Sequence, residues 1–393
     1  MKRIFTFIAL VVAGSATAQY YQDSANVDML RHVAAETMQR SEIILPQVNG
    51  YNVYKADLHI HTIFSDGQTS PEYRVREAYF DGLDVMAVTD HVEVRNYEGK
   101  MLSFLKGYVP EGTKAINNRI HYKAGDARGI FADLNWSVEL TKAAAVEYGI
   151  TVIPGTEITR DPRIYGHYNA LFTTDNNKIY DVDPLVSLRN ARKQGALIMH
   201  NHPGWRRESI EYLDFEKKAY GEKLIDGIEV MNEREFYPKV IDRARDKSLF
   251  VSSNTDIHST TAMEYRLSGQ HRNMTLILAK DKSLQSLREA LEAHRTLAYA
   301  FGTLAGEEQL LKDFFLASVK IEKIYVNKKG SRVIRLTNMS SLPYRICMSG
   351  KNPLDIKPFS AIQVNVAKDE TFVFEVCNMW SGTSRHPKID IKL

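Results

Sequence analysis

The chain has 393 residues, with 51 Lys and Arg against 48 Asp and Glu, and a formal net charge of +3 at pH 7. This length allows one barrel-sized domain plus a small appended domain, and so small a charge, with basic residues scattered along the chain, gives no sign of nucleic-acid binding. Cys347 and Cys377 are the two cysteines of the chain. They can form one disulfide in an oxidising compartment or remain as two buried thiols.

The first 18 residues have the three-part layout of a secretory signal peptide. Two basic residues precede an apolar stretch, 4–13, and a small-residue triplet ends at Ala18. The apolar stretch is too short to span a bilayer, and no later segment approaches that length. We therefore expect a periplasmic or secreted protein with no membrane span after cleavage, in which residues 19–50 form a leader segment that packs on the main domain.

Short β-branched apolar runs alternate with amphipathic stretches from about residue 51 to residue 279, which is the pattern of βα units. The candidate strands are 55–61, 83–91, 150–157, 167–172, 196–202, 227–232, 249–258 and 274–279. The candidate helices are 70–82, 136–149 and 183–195, each closed by a glycine. We expect parallel strands with helical crossovers in an α/β barrel over residues 51–316, with the active site at the carboxyl ends of its strands.

The composition changes after residue 295. A short helical stretch over 307–315 is followed by strand-like segments that alternate with turns, as at 328–330 and 349–353. This pattern predicts a small all-β domain over residues 317–393, of sandwich type, and we find no catalytic motif in it.

Six motifs of His, Asp and Glu coincide with the ends of successive candidate strands. In the first, His59 and His61 lie two residues apart on a strand, so both rings can reach one ion, and Asp66 follows on the next loop. The other candidate ligands are His91, Glu157, His167, His202, Asp256 and His258. Each motif alone has a simpler explanation, such as a loop histidine at His91 or a surface ion pair at Glu157, but six in succession favour a metal site.

Nine candidate ligands exceed what one four-coordinate ion can use, so they imply two or three divalent ions. Asp, Glu and His without nearby Cys suit Mn²⁺, Zn²⁺ or Fe²⁺ in a catalytic site, and Glu157 can bridge two ions. His202 precedes Pro203, which predicts an extended backbone. His200 shares its face in a regular strand, so spacing alone leaves both open; we prefer His202 as the ligand and keep His200 as a supporting residue.

The ordered motifs resemble the PHP (polymerase and histidinol phosphatase) superfamily over roughly residues 50–300. The resemblance implies a distorted seven-stranded (β/α) barrel, one strand fewer than our candidates. It also implies that His59, His61, Glu157 and Asp256 form the catalytic set around one ion. Glu157 would bridge to a second ion held by His167 and His202. The third ion would be held by Asp66, His91 and His258, with Asp66 standing where some members have His.

The layout of signal peptide, barrel and small β domain resembles the Sb-PDE group of bacterial phosphodiesterases. That resemblance implies hydrolysis of a small phosphodiester by a metal-bound hydroxide. Arg128, Arg206 and Arg207 are candidate phosphate-binding residues, and Trp205 and Tyr165 are candidates for a leaving-group pocket.

Three other functions remain open at this point. A phosphomonoesterase would use the same ions but need more positive charge for a dianionic substrate. A metal-dependent amidohydrolase also begins with His-x-His but usually has a carboxylated Lys where this chain has Glu157. A secreted binding protein would keep the barrel as a scaffold, and the loss of ligands that it predicts is not seen in the sequence.

Overall fold

The computed structural model describes residues 28, 39–93, 133–159, 164–265, 271–367 and 371–391. The signal peptide, nearly all of the predicted leader up to residue 38, and Arg128 lie outside the described residues. Residues Arg40–Leu393 form one compact unit. Among the described residues, no helix has the length and apolar character needed to cross a membrane.

The first part of the described chain alternates strands with helices, and the second part is nearly all strand. The strands are β1 Asn52–Ile60, β2 Val85–Val88, β3 Thr151–Val152, β4 Gly155–Thr159, β5 His167–Leu171, β6 Leu197–His200, β7 Gly227–Asn232, β8 Glu235–Phe236, β9 Phe250–Asn254, β10 Met274–Ala279, β11 Thr296–Ala300, β12 Thr303–Gly306, β13 Val319–Val326, β14 Arg332–Asn338, β15 Tyr344–Cys347, β16 Leu354–Ile356, β17 Ala361–Val366, β18 Phe372–Val376, β19 Met379–Trp380 and β20 Lys388–Ile391. The helices are α1 Pro71–Phe80, α2 Trp136–Tyr148, α3 Pro184–Lys193, α4 Asp214–Gly221, α5 Pro238–Lys247, α6 Thr261–Glu264, α7 Leu284–Glu292 and α8 Glu308–Ser318, with a 3₁₀ turn at Asn176–Lys178.

Two sheets carry the candidate site. The first has the strand order β19-β12-β11-β10-β1-β2-β3, and the second has the order β4-β5-β6-β7-β8, with β9 paired to β7. Isolated bridges from Ile60 to Ile257 and from His91 to Glu157 join the sheets near the ends of β1 and β2. The mixed α/β class is therefore confirmed. The hydrogen-bonded strands form two separate sheets, and the closure of these sheets into one barrel remains a prediction.

The expectation of uniformly parallel strands is wrong. β1 and β2 are parallel, as are β6 and β7, but β5 is antiparallel to both β4 and β6. The single strand predicted over 150–157 is divided into β3 and β4 around Pro154. A proline has no N–H to donate to a ladder, so pairing breaks there and the chain passes from the first sheet to the second.

The helix boundaries follow the predicted signals closely. Ser70 caps α1 by accepting a hydrogen bond from the backbone N–H of Tyr73, and Asp183 caps α3 in the same way. Helix α2 ends at Tyr148, where Gly149 adopts a positive φ of 62°. A glycine in this left-handed conformation has no Cβ penalty, which is why it ends helices so often.

The C-terminal part is rich in strands, as predicted. It forms the sheets β13-β14-β17 and β16-β15-β18-β20, while β19 joins the first large sheet by pairing with β12. Its apolar side chains share one hydrophobic cluster with the first sheet and with helix α8, whose Phe315 meets Tyr344 edge to face with ring centres 5.1 Å apart. Cys347 and Cys377 form a disulfide, with their Cα atoms 6.1 Å apart.

Candidate metal centre

The candidate ligands meet where strand ends of the two sheets converge. His59 lies in β1 and His61 follows it directly, while Asp256 comes two residues after the end of β9. His167 begins β5 instead of ending it. Because β5 runs antiparallel to β4 and β6, its first residue lies at the same edge as the ends of those strands, and the reversed strand still delivers its histidine to the site.

At the centre, nitrogen and oxygen lone pairs face one another. His59 Nε2 lies 3.1 Å from His61 Nε2, and Asp256 Oδ1 lies 3.1 and 3.0 Å from these two atoms. Both imidazoles are fully buried. Acceptors brought so close need a proton or a cation between them, because bare electron pairs would repel in this weakly screened interior.

Glu157 is positioned between the histidines. Its Oε1 lies 3.5 Å from His59 Nε2 and 3.4 Å from His167 Nδ1, and its Oε2 lies 3.5 Å from His61 Nε2 and 2.7 Å from His91 Nδ1. The side chain is almost fully buried, and Oε2 accepts no hydrogen bond of good geometry. A carboxylate with each oxygen directed at a different pair of histidines has the arrangement of a bridging ligand.

Asp66, His91 and His258 form a third set of side chains, which we call the Asp66 set. Its Oδ2 lies 3.3 Å from His91 Nε2, and its Oδ1 lies 3.2 Å from His258 Nε2. Nδ1 of His258 donates to the backbone carbonyl of Asp256 at 2.7 Å, which leaves the Nε2 lone pair facing Asp66. This set lies nearer to the surface than the other two, since the His258 side chain is 36% exposed.

The structure brings all nine predicted residues into overlapping groups whose donor atoms lie within 4.8 Å of one another. The groups are His61, Asp66, His91 and His258; His59, His61 and Glu157; His59, His202 and Asp256; and Glu157, His167 and His202. All four groups share members with the sets implied by the family resemblance, so the geometry accommodates two or three ions. The ligand role of each residue stays a prediction.

Charges in the cluster shift protonation in opposite directions. Burial opposes protonation of His59, but the carboxylates of Asp256, Glu229 and Glu157 outweigh it and raise the pKa of His59. Burial and the neighbouring imidazoles lower the pKa of His61. Burial also raises the pKa of Asp256 to about 7. His59 and Asp256 thus favour their protonated forms in the absence of a metal ion, and a divalent cation bound there would replace those protons.

Glu229 supports the centre from behind, and the sequence motifs do not include it. It accepts hydrogen bonds from His59 Nδ1 at 3.0 Å, the backbone N–H of His202 at 2.7 Å, Asn232 Nδ2 at 2.8 Å and Asn254 Nδ2 at 2.9 Å. Its side chain is fully buried. The sequence did offer one indication of this role, a glutamate in the middle of the apolar strand β7. A carboxylate buried in such a strand needs hydrogen-bond partners.

Other buried polar groups fix the loops that carry the ligands. Asn201 donates to Glu157 Oε1 at 2.9 Å. Asp90 accepts from the backbone N–H and the hydroxyl of Thr62, both at 2.7 Å. Arg74 donates to the carbonyl oxygens of His61, Ile257, His258 and Ser259. Because these groups hold backbone as well as side chains, the two strand ends bearing the ligands are fixed against each other.

The backbone expectation for His202 is wrong. Strand β6 ends at His200, and His202 has a φ of +23° instead of an extended value. The departure turns the His202 ring towards the cluster, with Nε2 3.6 Å from Asp256 Oδ2. His200 is directed elsewhere, with Nδ1 2.9 Å from the Tyr220 hydroxyl. It is therefore not a direct partner of the candidate ligands, and the shared face assumed from strand spacing does not exist here.

Two of the three candidate phosphate-binding arginines, Arg206 and Arg207, have other partners, and Arg128 lies outside the described residues. Arg207 Nη1 lies 2.7 Å from Glu216 Oε1, and the Arg206 guanidinium lies 4.5 Å from the centre of the Trp205 ring. Trp205 itself packs on His167 and His202, with ring centres 5.3 and 5.5 Å apart. The ring of Tyr165 meets that of Phe215 edge to face. Trp205 is therefore in direct contact with two candidate ligands.

Comparison with known proteins identifies the family. The family model described as PHP domain matches residues 57–307. A crystal structure from Bacteroides vulgatus, of a two-domain protein that contains a predicted PHP-like metal-dependent phosphoesterase, is 32% identical, has a TM-score of 0.79, and covers 91% of this chain and 100% of that one.

Weaker similarities carry no argument. PsfC from Pseudomonas syringae is 16% identical with a TM-score of 0.38, covering 68% of this chain and 96% of its own. An amidohydrolase from Chromobacterium violaceum is 15% identical with a TM-score of 0.33, covering 52% of this chain and 88% of its own. No curated protein matches the chain. The matched family model, which spans well over half of the 393 residues, together with the similar two-domain structure, shows that this chain belongs to the PHP domain family.

Proposed function

We propose that the protein is a metal-dependent phosphoesterase that hydrolyses phosphodiesters at a cluster of two or three divalent ions. The observation that carries the proposal is the convergence of nine buried or half-buried nitrogen and oxygen donors at the junction of two sheets. The similarity to a two-domain protein with a PHP-like metal-dependent phosphoesterase supports the reaction class. Assignment to the Sb-PDE group belongs to the same proposal.

The residues present fit divalent ions. Glu229 accepts from Nδ1 of His59, so that ring carries its proton on Nδ1 and presents its Nε2 lone pair to Asp256, Glu157 and His61. His258 is fixed in the same tautomer by a backbone carbonyl. Histidines held in this way are typical of metal ligands, and nitrogen with carboxylate oxygen suits Mn²⁺, Zn²⁺ or Fe²⁺.

Each part of the site has a separate task. Divalent ions bound here would neutralise phosphate charge and lower the pKa of water to near neutrality. Asn201 and Glu229 orient Glu157 and His59. Trp205 covers His167 and His202 and keeps bulk water away from them. The backbone carbonyl of Asp256 holds Nδ1 of His258, so its Nε2 is directed at the Asp66 set as a candidate ligand.

The charge around the site favours a diester over a monoester. A dianionic monoester benefits from an additional cationic side chain on the phosphate. Among the described residues, Arg207 is paired with Glu216 and the Arg206 guanidinium is stacked on Trp205, so these two candidate arginines are already engaged. A monoanionic diester requires less added charge, and we therefore place it first.

We also propose that the two large sheets act as one distorted barrel and that the protein works in a periplasmic or extracellular compartment. The bridges at Ile60 and His91 support the first point. The signal-peptide pattern of residues 1–18 and the Cys347–Cys377 disulfide support the second, since structural disulfides persist in oxidising compartments. Subcellular fractionation of the producing cells, with the cleaved N-terminus sequenced, tests the location.

The direct test combines metal analysis with kinetics on the mature protein. We expect two or three ions per chain and faster hydrolysis of bis(4-nitrophenyl) phosphate than of 4-nitrophenyl phosphate. His59→Ala should abolish diester turnover, while His294→Ala, a histidine outside the candidate groups, should retain it. Fewer than one ion per chain, with no turnover after reconstitution with Mn²⁺ or Zn²⁺, would contradict the proposal and favour a binding protein.

A further inference from the structure

A groove of about 500 Å³ lies next to the candidate metal centre. A smaller hollow of about 20 Å³ is lined by the candidate ligands His167 and His202 together with Trp205. Arg207 lines both spaces, and the loop from Pro203 to Arg207 contributes to each, with Pro203 and Trp205 in the hollow and Gly204 in the groove. The groove therefore adjoins the site through Arg207 and the loop that carries Trp205.

The walls of the groove are fixed to the same strand that supports the metal centre. Strand β8 folds back on the end of β7, with Asn232 opposite Glu235, and Asn232 also donates to Glu229. Gly204 lies so close to the Tyr237 ring that a Cβ there would come 2.4 Å from a ring carbon. Because side chains cannot approach so closely, glycine is what allows the loop to lie flat against that ring.

The lining combines apolar surface with charges of both signs. Its apolar part is formed by Ile210, Phe236, Tyr237 and Pro238. Phe236 is held edge to face against Trp380, with ring centres 5.4 Å apart. The charged part includes Glu208, Glu235, Lys239 and Arg207, the last already paired with Glu216. A lining with both signs of charge does not favour an anion, whereas fixed aromatic walls favour a ring.

We propose that this groove binds the ester group that stays on phosphorus, and that this group is an uncharged ring-bearing alcohol of about nucleoside size. The inference rests on the proposed phosphodiesterase function. A volume of about 500 Å³ falls in the usual range for small-molecule sites, roughly 300–1,000 Å³, and exceeds what a phosphate group fills. In the reaction, a water oxygen bonds to phosphorus, the bond from phosphorus to the leaving alcohol breaks, and the monoester of the retained alcohol is released.

Two diesters with the same leaving group test the inference. Thymidine 5′-(4-nitrophenyl) phosphate and methyl 4-nitrophenyl phosphate both release 4-nitrophenolate, and they differ only in the retained alcohol. We expect the thymidine diester to have the higher kcat/KM. Tyr237→Ala should lower that preference roughly tenfold, within the effect of losing one stacked ring. Tyr237→Phe, which keeps the ring, should preserve the preference. Ile210→Ala should lower it in part and, as a smaller change, guards against misfolding of the first variant.

The outcomes separate the groove from the reaction. If the wild type hydrolyses both diesters but Tyr237→Ala and Ile210→Ala change the two kcat/KM values equally, or change neither, the groove does not bind the retained alcohol and phosphodiester hydrolysis stands. If the metal-loaded wild type hydrolyses neither diester, the proposed function fails and the inference fails with it. Metal content and the melting temperature of each variant show whether a lost activity reflects unfolding.

Discussion

Glu229 Oε1 lies 3.0 Å from Nδ1 of His59, and the other oxygen of the same carboxylate accepts the backbone N–H of His202 at 2.7 Å. One buried side chain thus fixes the tautomer of one candidate ligand and the backbone of another. The carboxylate of Glu229 accepts hydrogen bonds from four groups, and both of its oxygens take part.

Replacing Glu229 with Gln should weaken metal binding. The amide NH₂ would face donors where the carboxylate now accepts, so His59 and His202 would lose their fixed positions. Changes to groups that orient metal ligands typically cost about 10–100-fold in affinity. Competition with a chromophoric chelator measures this loss, and Glu222→Gln, at an exposed ion pair with Arg189, is the matched control. Equal affinity for both variants would show that Glu229 has no positioning role.

Gly67→Ala should disturb the Asp66 set. A Cβ at Gly67 would lie 2.6 Å from the backbone carbon and oxygen of His61, which cannot move aside as a flexible side chain can. We expect a loss of about 1–3 kcal/mol in the free energy of unfolding and a lower metal stoichiometry. In Gly221→Ala, where no atom lies within 4 Å of the added Cβ, stability should be unchanged or slightly higher. Urea unfolding of both variants measures their free energies of unfolding. Equal stability of the two variants would refute the steric argument.

Asp57→Asn should destabilise the fold. Asp57 Oδ2 lies 2.6 Å from Arg272 Nη2, and both side chains are buried. Removing the charge of one partner leaves the other buried with less compensation, which costs about 3–5 kcal/mol. Asp355→Asn breaks an exposed pair with Arg345 and should change stability little. Chemical unfolding at pH 7 measures both, and a small loss for Asp57→Asn would mean that Asp81, the second partner of Arg272, suffices.

Stability should depend on pH through Glu216. Burial alone would raise the pKa of Glu216, but His200, the backbone N–H of Leu213 and Arg207 together lower it to about 2. A lowered folded-state pKa contributes stability above the unfolded value of about 4.5 and loses that contribution as pH falls towards 2. The stability difference between wild type and Glu216→Gln should therefore shrink by about 2 kcal/mol between pH 5 and pH 3. Urea titrations across this range measure it, and a constant difference would contradict the lowered pKa.

Much of the local structure could be predicted from the sequence because it depends on near neighbours. Ser70 before Pro71 and Gly149 after Tyr148 give the ends of α1 and α2. Strand directions could not be predicted in this way. The reversal at β5 depends on pairing partners distant in the chain, and local alternation of apolar residues is the same in parallel and antiparallel strands.

The same distinction between local and long-range information applies to the candidate site. The sequence by itself determined the family and the nine candidate donors, because residue type and order along the chain carry both. The tertiary structure alone decided that His202 rather than His200 is directed at the cluster, that Glu229 holds His59, and that Arg207 is occupied by Glu216. These contacts join residues that are distant in the chain, and the position of His202 also depends on a positive φ. Buried polar groups must find hydrogen-bond partners, and folding decides which groups are near enough to serve. Sequence spacing alone does not contain that information.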